Sequence, residues 1–117
     1  MDSEWNDNQP IWRQLRERVA AMILDGALIE GEALPSVRTV AADSRVNPLT
    51  VLKAYQQLTD EGVAEKRRGL GLFVTAGARQ RLLEAERQRF LVERWPAIRA
   101  TIRRLGLSQG ELLSGED

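Results

Sequence analysis

The chain contains neither cysteine nor histidine, and this double absence narrows the functions open to it. Without cysteine there is no disulfide framework and no thiolate ligand for a structural zinc ion. Without histidine the commonest general base is missing as well. Carboxylates are plentiful, but no Gly-rich phosphate loop accompanies them. We therefore expect a protein that is not an enzyme and that binds no cofactor and no metal.

Long apolar runs are also absent. No stretch of the chain approaches the roughly 20 apolar residues of a membrane-spanning helix, and the acidic start MDSEWNDNQ does not fit a secretory signal. The hydrophobic fraction of 43% is enough for a packed core. For 117 residues, these features predict a cytoplasmic protein of one domain or of a small domain with an appendage, with no membrane partner.

An excess of either charge is lacking too, since 17 basic residues balance 17 acidic ones. A domain that binds nucleic acid is usually basic, so the total argues against that function. The distribution shifts the balance, because residues 36–78 carry six basic and four acidic groups, and residues 79–105 carry eight arginines and three glutamates. The middle excess is only two charges, which supports nucleic-acid binding weakly.

The spacing of apolar residues predicts a first helix over residues 10–25. Its inward stripe consists of Ile11, Leu15, Val19, Met22 and Ile23. Pro10 suits the first helical position, where a missing N–H is not needed, and Gly26 suits the C-terminal cap. The following loop, residues 27–35, should be irregular.

Two further helices joined by a tight turn are predicted next. Ser36 can cap a short helix over residues 36–43, with a turn at residues 43–45. Asn47 is a good N-cap, and Pro48 can begin a third helix that runs to about residue 61. The buried stripe of this helix is expected to be Val51, Ala54, Tyr55 and Leu58, and its opposite face Leu49, Lys53, Gln56 and Asp60.

A small hairpin completes the module. Residues 63–66 and 72–75 have the pattern of two short strands, and the turn Arg67-Arg68-Gly69-Leu70-Gly71 joins them. Helix, turn, helix and hairpin in this order predict a winged helix-turn-helix, a mainly α fold with one small β-hairpin. This fold places one helix in the major groove of DNA.

The remaining segment has a different texture. Residues 79–105 are predicted to be helical, with a bend at Pro96 and a solvated face of arginines paired with glutamates. Apolar residues at four-three spacing indicate a dimer interface formed by Phe90, Leu91, Trp95, Ile98, Ile102 and Leu105. Ser108 and Glu111 have capping-box spacing before a short helix at residues 109–114. The predicted domains are residues 1–78 for DNA binding and residues 79–117 for dimerisation.

The chain resembles the GntR family of bacterial transcription regulators. The resemblance lies in the runs LPSVRTVA, VNPLTVLKAYQQLTDEG and KRRGLGLFV, and with the first helix it extends over about residues 10–75. The short C-terminal part resembles the YtrA subfamily, in which two helices mainly dimerise the protein. The resemblance implies DNA contacts by Arg38, by the start of the third helix from Asn47 to Lys53, and by the wing glycines Gly69 and Gly71.

The side chains themselves extend this predicted interface. Thr50, Lys53 and Gln56 are of types that read base edges or hold phosphates, and Ser36 and Asn47 stand at helix N-termini, which bind phosphate. The wing adds Arg67 and Arg68. Pro48 and Leu49 replace the polar residues usual in the family, so Leu49 could touch only a thymine methyl. Leu72 stands where the family usually has Thr or Ser. The predicted DNA-binding set is Ser36, Arg38, Asn47, Leu49, Thr50, Lys53, Gln56, Arg67, Arg68, Gly69 and Gly71.

The resulting hypothesis is a homodimeric regulator, most often a repressor in this family, that binds a pseudo-palindrome in double-stranded DNA. The alternative is a winged-helix module that binds another protein and no DNA, which the zero net charge and the apolar Leu49 leave open. Family members commonly respond to a small molecule, but nothing in the residues identifies an effector, and the C-terminal hairpin is too small to enclose an obvious pocket.

Overall fold

A computed structural model describes residues 4–115. The chain forms two compact units, residues 1–83 (the N-terminal unit) and residues 84–117 (the C-terminal unit). The division lies inside a helix, five residues after the predicted boundary at residue 78. The first three residues of the acidic start and the last two of the acidic tail lie outside the described residues.

The N-terminal unit is a winged helix-turn-helix, as the sequence predicted. Its elements are α1 (Ile11–Leu24), α2 (Val37–Ser44), α3 (Pro48–Asp60), β1 (Ala64–Arg67), β2 (Gly71–Val74) and the start of α4 (Ala78–Arg89). The core lies between the three helices and the hairpin, and Leu15, Val51, Leu58 and Val74 are fully buried within it. Two residues of α4, Ala78 and Leu82, are also buried, so the unit includes the first turns of that helix.

The buried face of α1 matches the predicted stripe at Leu15, Val19 and Ile23, and Met22 packs against the core, but the first turn differs. Ile11, expected to face inward, is 38% exposed, whereas Trp12 packs against the core. Arg16, which borders the same face, is 3% exposed and forms an ion pair with Glu61 at the end of α3. The periodicity therefore identified the correct side of the helix and missed Trp12 and Arg16 at its border. Pro10 stands just before the helix and not at its first position.

The two helices of the helix-turn-helix begin at the predicted caps. The Ser36 hydroxyl accepts a hydrogen bond from the Thr39 N–H at 3.1 Å, and the Asn47 side chain accepts from the Leu49 N–H at 2.9 Å. The turn comes later than predicted, because α2 continues to the buried Ser44. The chain then reverses at Arg45, whose φ of 55° is in the left-handed region.

The hairpin is shifted by one residue from the prediction, with Ala64 opposite Val74 and Arg67 opposite Gly71. The loop over residues 27–35, expected to be irregular, is partly ordered as an extended segment that pairs with β2. Leu34 N–H donates to Leu72 O at 2.8 Å, and Gly31 N–H donates to Val74 O at 2.8 Å. This loop covers the free edge of β2 and fixes the wing to the segment that precedes α2.

The C-terminal unit is made of the end of α4, a five-residue π-helical turn (the π turn, Phe90–Arg94), α5 (Trp95–Leu105) and α6 (Gln109–Leu113). The predicted single helix with a bend is therefore two helices separated by the π turn. Pro96, in the first turn of α5, has no N–H to donate, and the wider turn before it accommodates this loss. Both hydrogen bonds of the predicted Ser108–Glu111 capping box are present.

None of residues 84–115, the described part of the C-terminal unit, is buried. Among residues 4–115, no helix has both the length and the apolar character needed to cross a membrane.

Candidate nucleic-acid interface

The outer face of α3 is formed by side chains that the core does not use. Its buried stripe is the predicted one, Val51, Ala54, Tyr55 and Leu58. Leu49, Lys53, Gln56 and Asp60 are all exposed, as the sequence predicted. Leu49 is 70% exposed in the first turn, a large apolar side chain with little contact to its own protein. The helix therefore presents a mixed apolar and polar surface at the position of a recognition helix.

The two ends of this face differ in charge. Near the C-terminal end, the Gln56 amide donates to the Asp60 carboxylate at 2.8 Å. A carboxylate there repels phosphates, and it engages the amide that could have read adenine. Lys53 lies nearer the N-terminal end, and its ammonium is 4.9 Å from the ring centre of Trp12. The half of α3 that is suited to an anionic partner is therefore the N-terminal half.

Residues of α2 border that half. Arg38, in the first turn of α2, is exposed. Beside it lies a shallow open surface lined mainly by apolar side chains of α2 and the turn, Val37, Ala41, Ala42, Val46 and Pro48, together with Arg38. The side chains of Ser36 and Asn47 already accept hydrogen bonds from their own helices. They act first as caps, and any phosphate at these helix ends would meet the remaining backbone N–H groups.

The wing presents basic side chains around its turn. Gly69 and Gly71 have φ values of +75° and +105°, and a side chain at either position would strain the turn. Arg67 is held on the strand by Phe73, whose ring centre is 4.3 Å from the guanidinium carbon, and by Glu65 at 3.5 Å. Arg68, at the tip, is exposed and has no ion pair among residues 4–115.

Tyr55 fixes the geometry of the interface from inside. It is 2% exposed, and its hydroxyl donates to the carbonyl oxygen of Pro35 at 2.6 Å. Burial raises the pKa of the hydroxyl to about 12. The bond joins the middle of α3 to the residue before the Ser36 cap, so the two helices of the helix-turn-helix are held in register.

Two arginines of the predicted solvated face, Arg79 and Arg81, are exposed and donate hydrogen bonds to backbone carbonyls. Arg81 donates to the carbonyl oxygens of Gly62 at 3.1 Å and Ala76 at 3.0 Å, and Arg79 donates to Leu24 O at 3.2 Å. The oxygen of Gly62 lies just after α3, that of Ala76 just after β2, and that of Leu24 at the end of α1. The start of α4 is thereby bonded to the other elements of the N-terminal unit. The predicted pairing with glutamate is present at Arg89, 3.3 Å from Glu86.

Sequence reasoning missed two residues beside this interface, Trp12 and Arg13. The guanidinium carbon of Arg13 is 5.5 Å from the Trp12 ring centre, so the same ring that contacts Lys53 also contacts a cation of α1. Helical spacing contained a signal, because Trp12, Leu15, Arg16 and Val19 follow one another at intervals of three and one. Arg16 lies on this face because of Glu61, a partner 45 positions away that apolar spacing does not reveal.

The six residues predicted to form a dimer interface are exposed or half-buried apolar side chains of the C-terminal unit. Exposure is 39% for Phe90, 55% for Leu91, 36% for Ile98 and 64% for Leu105, and Trp95 and Ile102 are half-buried. The ring centres of Phe90 and Trp95 are 6.4 Å apart. The predicted spacing is regular only from Trp95 onward, because the π turn adds a residue between the two rings. We call this set the apolar row: Phe90, Leu91, Trp95, Ile98, Ile102 and Leu105.

Comparison with known proteins identifies relatives of this chain. Over 115 residues the chain is 29% identical to the HTH-type transcriptional regulator YhcF of Bacillus subtilis (strain 168), a match that covers 98% of this chain and 93% of YhcF. Over 77 residues it is 38% identical to the HTH-type transcriptional repressor YtrA of the same organism, covering 66% of this chain and 59% of YtrA.

A solved structure agrees with these matches. YtrA from Sulfolobus acidocaldarius, a GntR-family transcription factor, shares 30% identity and a TM-score of 0.61, covering 79% of this chain and 97% of that one. The family model described as bacterial regulatory proteins of the gntR family matches residues 12–74, more than half of the chain. With its DNA-binding helix-turn-helix and its YtrA-like relatives, the chain belongs to the GntR family of bacterial regulatory proteins, which are transcription regulators and not enzymes.

Proposed function

We propose that this protein is a homodimeric, sequence-specific repressor of transcription that acts in the cytoplasm. In this proposal α3 enters the major groove of each half-site, and the wing lies on the adjacent minor groove or on the phosphate backbone. The observation that carries the proposal is the exposed outer face of α3, flanked by the basic residues of α2 and of the wing. The repressor role is supported by the 38% identity to a protein named as a repressor, YtrA of Bacillus subtilis.

The proposed DNA-binding residues divide into readers and anchors. Leu49 and Thr50 lie in the first turn of α3, where an apolar side chain can touch the thymine methyl and a hydroxyl can bond a base edge. The anchors are two exposed cations, Arg38 in α2 and Arg68 in the wing, which can bind phosphates of the DNA backbone. Gln56 is the least suited member of the predicted set, because its amide is bonded to Asp60.

Dimerisation is supported by the apolar row. A monomer gains nothing from keeping six large apolar side chains, four exposed and two half-buried, in contact with water. In a two-fold pair each row can cover the other, since both surfaces of such an interface are the same. A dimer would also present two copies of α3, which suits a pseudo-palindrome with half-sites about 10 base pairs, or one helical turn, apart.

The test is selection followed by titration. The protein would be used to select sites from a random duplex library, and affinity for the selected duplex and a scrambled duplex would be followed by fluorescence anisotropy at several salt concentrations. We expect an inverted repeat, a Kd on the order of 10⁻⁸ M or tighter for it, and a Kd that rises steeply with salt through counterion release. A folded dimer that enriches no sequence and shows no salt-dependent binding would refute the proposal.

Substitutions in α3 would separate base reading from phosphate binding. Leu49→Ala should lower the preference for thymine at one position of each half-site by roughly 10-fold, with the salt dependence unchanged. The matched control is Leu52→Ala, an apolar residue of the same helix that is 49% exposed and outside the predicted set. Equal effects of both substitutions would mean that Leu49 reads no base.

Arg38→Ala and Arg68→Ala would test the anchors. Each should weaken binding by roughly 5- to 30-fold on selected and scrambled duplexes alike, because a phosphate contact carries no sequence information. Arg87→Ala, which removes an exposed arginine of the C-terminal unit, is the control for net charge.

The second candidate is a module that binds another protein through the exposed side of α3 and the wing. The exposed Leu49, Leu52 and Leu70 favour it, with exposures of 70%, 49% and 71%. Such a module would bind no duplex DNA in a salt-dependent way, so the titration above decides between the two.

A further inference from the structure

One tryptophan beside α3 contacts two cations from different helices. The Trp12 ring, in the first turn of α1, is 4.9 Å from the ammonium of Lys53 on α3 and 5.5 Å from the guanidinium carbon of Arg13. Both distances are within the range of roughly 6 Å in which a cation is attracted to an aromatic face. Lys53 and Arg13 are themselves exposed.

The ring is the fixed partner in these contacts. Trp12 is half-buried and packs against the hydrophobic core, and an indole has only two rotatable bonds. Lys53 has a long flexible stem, whose ammonium would otherwise sample many positions around α3. Trp12 therefore draws the ammonium towards α1, at the edge of the outer face and away from its centre.

This placement changes what Lys53 can contact. A side chain that points straight out of a recognition helix meets base edges. A side chain held at the flank of the helix meets the sugar-phosphate backbone of the DNA strand that borders the groove. Neither Lys53 nor Arg13 forms an ion pair with a carboxylate among residues 4–115. Two exposed cations beside one ring, neither of them paired with an acid among these residues, suit an anion, and the phosphodiester of DNA is the anion that the proposed function brings to α3.

We propose that Trp12 is a positioning residue that gathers Lys53 and Arg13 into a binding site for DNA phosphate, so that Lys53 anchors the backbone and does not read a base. This inference rests on the proposed function. It assigns α1 a part in DNA binding in addition to its part in the core, and it leaves base reading to the first turn of α3.

The variants Arg13→Ala, Lys53→Met, Trp12→Leu and Trp12→Tyr would be titrated against the selected and scrambled duplexes. Arg13→Ala and Lys53→Met should each weaken binding to both duplexes by about 3- to 10-fold and reduce the slope of log K against log salt by about 1. Trp12→Leu should reproduce these losses in part, and Trp12→Tyr, which keeps an aromatic face, should restore most of the affinity.

A triple variant tests whether Trp12 acts through the two cations. In the Arg13→Ala/Lys53→Met background, Trp12→Leu should cause no further loss, whereas a merely structural role would lower affinity in any background. Trp5→Leu is the matched control, because Trp5 faces a different cation, Arg18, at 3.8 Å; its salt slope should stay unchanged. Thermal unfolding would confirm that each variant is folded, and the exposed Arg13 and Lys53 keep the test valid if Trp12→Leu unfolds.

Three results would overturn the inference: unchanged salt slopes in both Arg13→Ala and Lys53→Met, a further loss from Trp12→Leu in the double background, or a loss in Lys53→Met confined to the selected duplex. The last result would make Lys53 a base reader. If the unaltered protein shows no salt-dependent binding to either duplex, the proposed function itself fails, which is a different outcome.

Discussion

The two units of this chain place their apolar side chains in opposite ways. In the N-terminal unit, Leu15, Val19, Val51 and Leu58 are fully buried. In the described part of the C-terminal unit, residues 84–115, no residue is buried, and Leu91, Val92 and Leu105 are more than half exposed. From Trp95 onward the apolar residues of the second set also follow helical spacing, but none that the structure describes is buried by its own unit.

This difference shows how a chain of 117 residues can divide its work. The N-terminal unit buries enough surface to hold α3 and the wing in fixed positions, which a DNA-reading surface requires. The C-terminal unit leaves its apolar row exposed to water, and under the proposed function a second copy of the chain covers it. Stability of the first unit should therefore depend on its own core, and stability of the second on protein concentration.

A charge placed in the apolar row should have the largest effect. Ile98→Asp would put a carboxylate into the proposed dimer interface twice, once from each copy. We expect dimerisation to weaken by about 100-fold or more, since an uncompensated buried charge costs about 3–5 kcal/mol. Affinity for the selected duplex should fall with it because the second half-site is lost. Sedimentation velocity and anisotropy would measure both effects.

The control for this prediction is Ala100→Asp, an exposed residue of α5 two positions along and outside the row. An Ile98→Asp protein that remains a dimer, or an Ala100→Asp protein that dissociates equally, would show that the row is not the interface.

A pair of leucine substitutions would compare the two units directly. Leu58→Ala removes a side chain that is 0% exposed, and it should lower the free energy of unfolding by about 2–5 kcal/mol. Leu105→Ala removes one that is 64% exposed, and it should change the unfolding of the monomer by less than about 0.5 kcal/mol while weakening dimerisation. Chemical denaturation at two protein concentrations separates these contributions. A large loss from Leu105→Ala that is independent of concentration would contradict the comparison.

The buried hydroxyl of Tyr55 should give the N-terminal unit a characteristic alkaline response. Burial raises its pKa from 10.0 to about 12, so between pH 10 and 12 the unfolded chain releases this proton while the folded chain keeps it. The unfolded state then binds fewer protons, and the free energy of unfolding falls as pH rises. Tyr55→Phe should lose about 1 kcal/mol at neutral pH through the missing bond to Pro35 and should show less decline above pH 10. Equal alkaline slopes in both proteins would contradict this.

The smallest effect is expected at the capping box of the C-terminal unit. The backbone N–H of Ser108 and then its hydroxyl lower the pKa of Glu111, which is fully exposed. A lowered pKa means that the stabilisation is present above the unfolded-state pKa and is lost as pH falls through the folded-state pKa. Ser108→Ala should therefore raise the pKa of Glu111 towards its ordinary value, as measured by NMR titration of the carboxyl group. Alanine keeps the backbone N–H that donates to Glu111, so an unchanged pKa would exclude the Ser108 hydroxyl, and not the backbone bond, as a cause.

Local signals predicted most of the N-terminal unit. The caps at Ser36 and Asn47, the proline that begins α3 and the buried stripe of that helix depend on neighbours within four positions. The exposed residues of the candidate interface follow from the same periodicity, because the side of a helix opposite to its buried stripe faces water.

Long-range pairing accounts for what the sequence did not reveal. Arg16 is buried because it meets Glu61, 45 positions later, and no local pattern contains that partner. The bonds of Arg81 to Gly62 and of Leu34 to Leu72 are of the same kind. Trp12 belongs to the candidate interface because the packing of α1 against α3 brings its ring next to Lys53, 41 positions later. The DNA-contact roles and the dimer remain predictions, since they concern surfaces that a single chain does not cover.

The π turn has a consequence for how this protein is aligned with its relatives. Five residues, Phe90–Arg94, take the place that a regular helix would fill with one residue fewer, and they come just before Pro96. A heptad count that continues through them is displaced by one residue, which is about 100° around the helix axis. Relatives without the extra residue should therefore be aligned with a single-position gap in this segment, and the repeat should be counted afresh from Trp95.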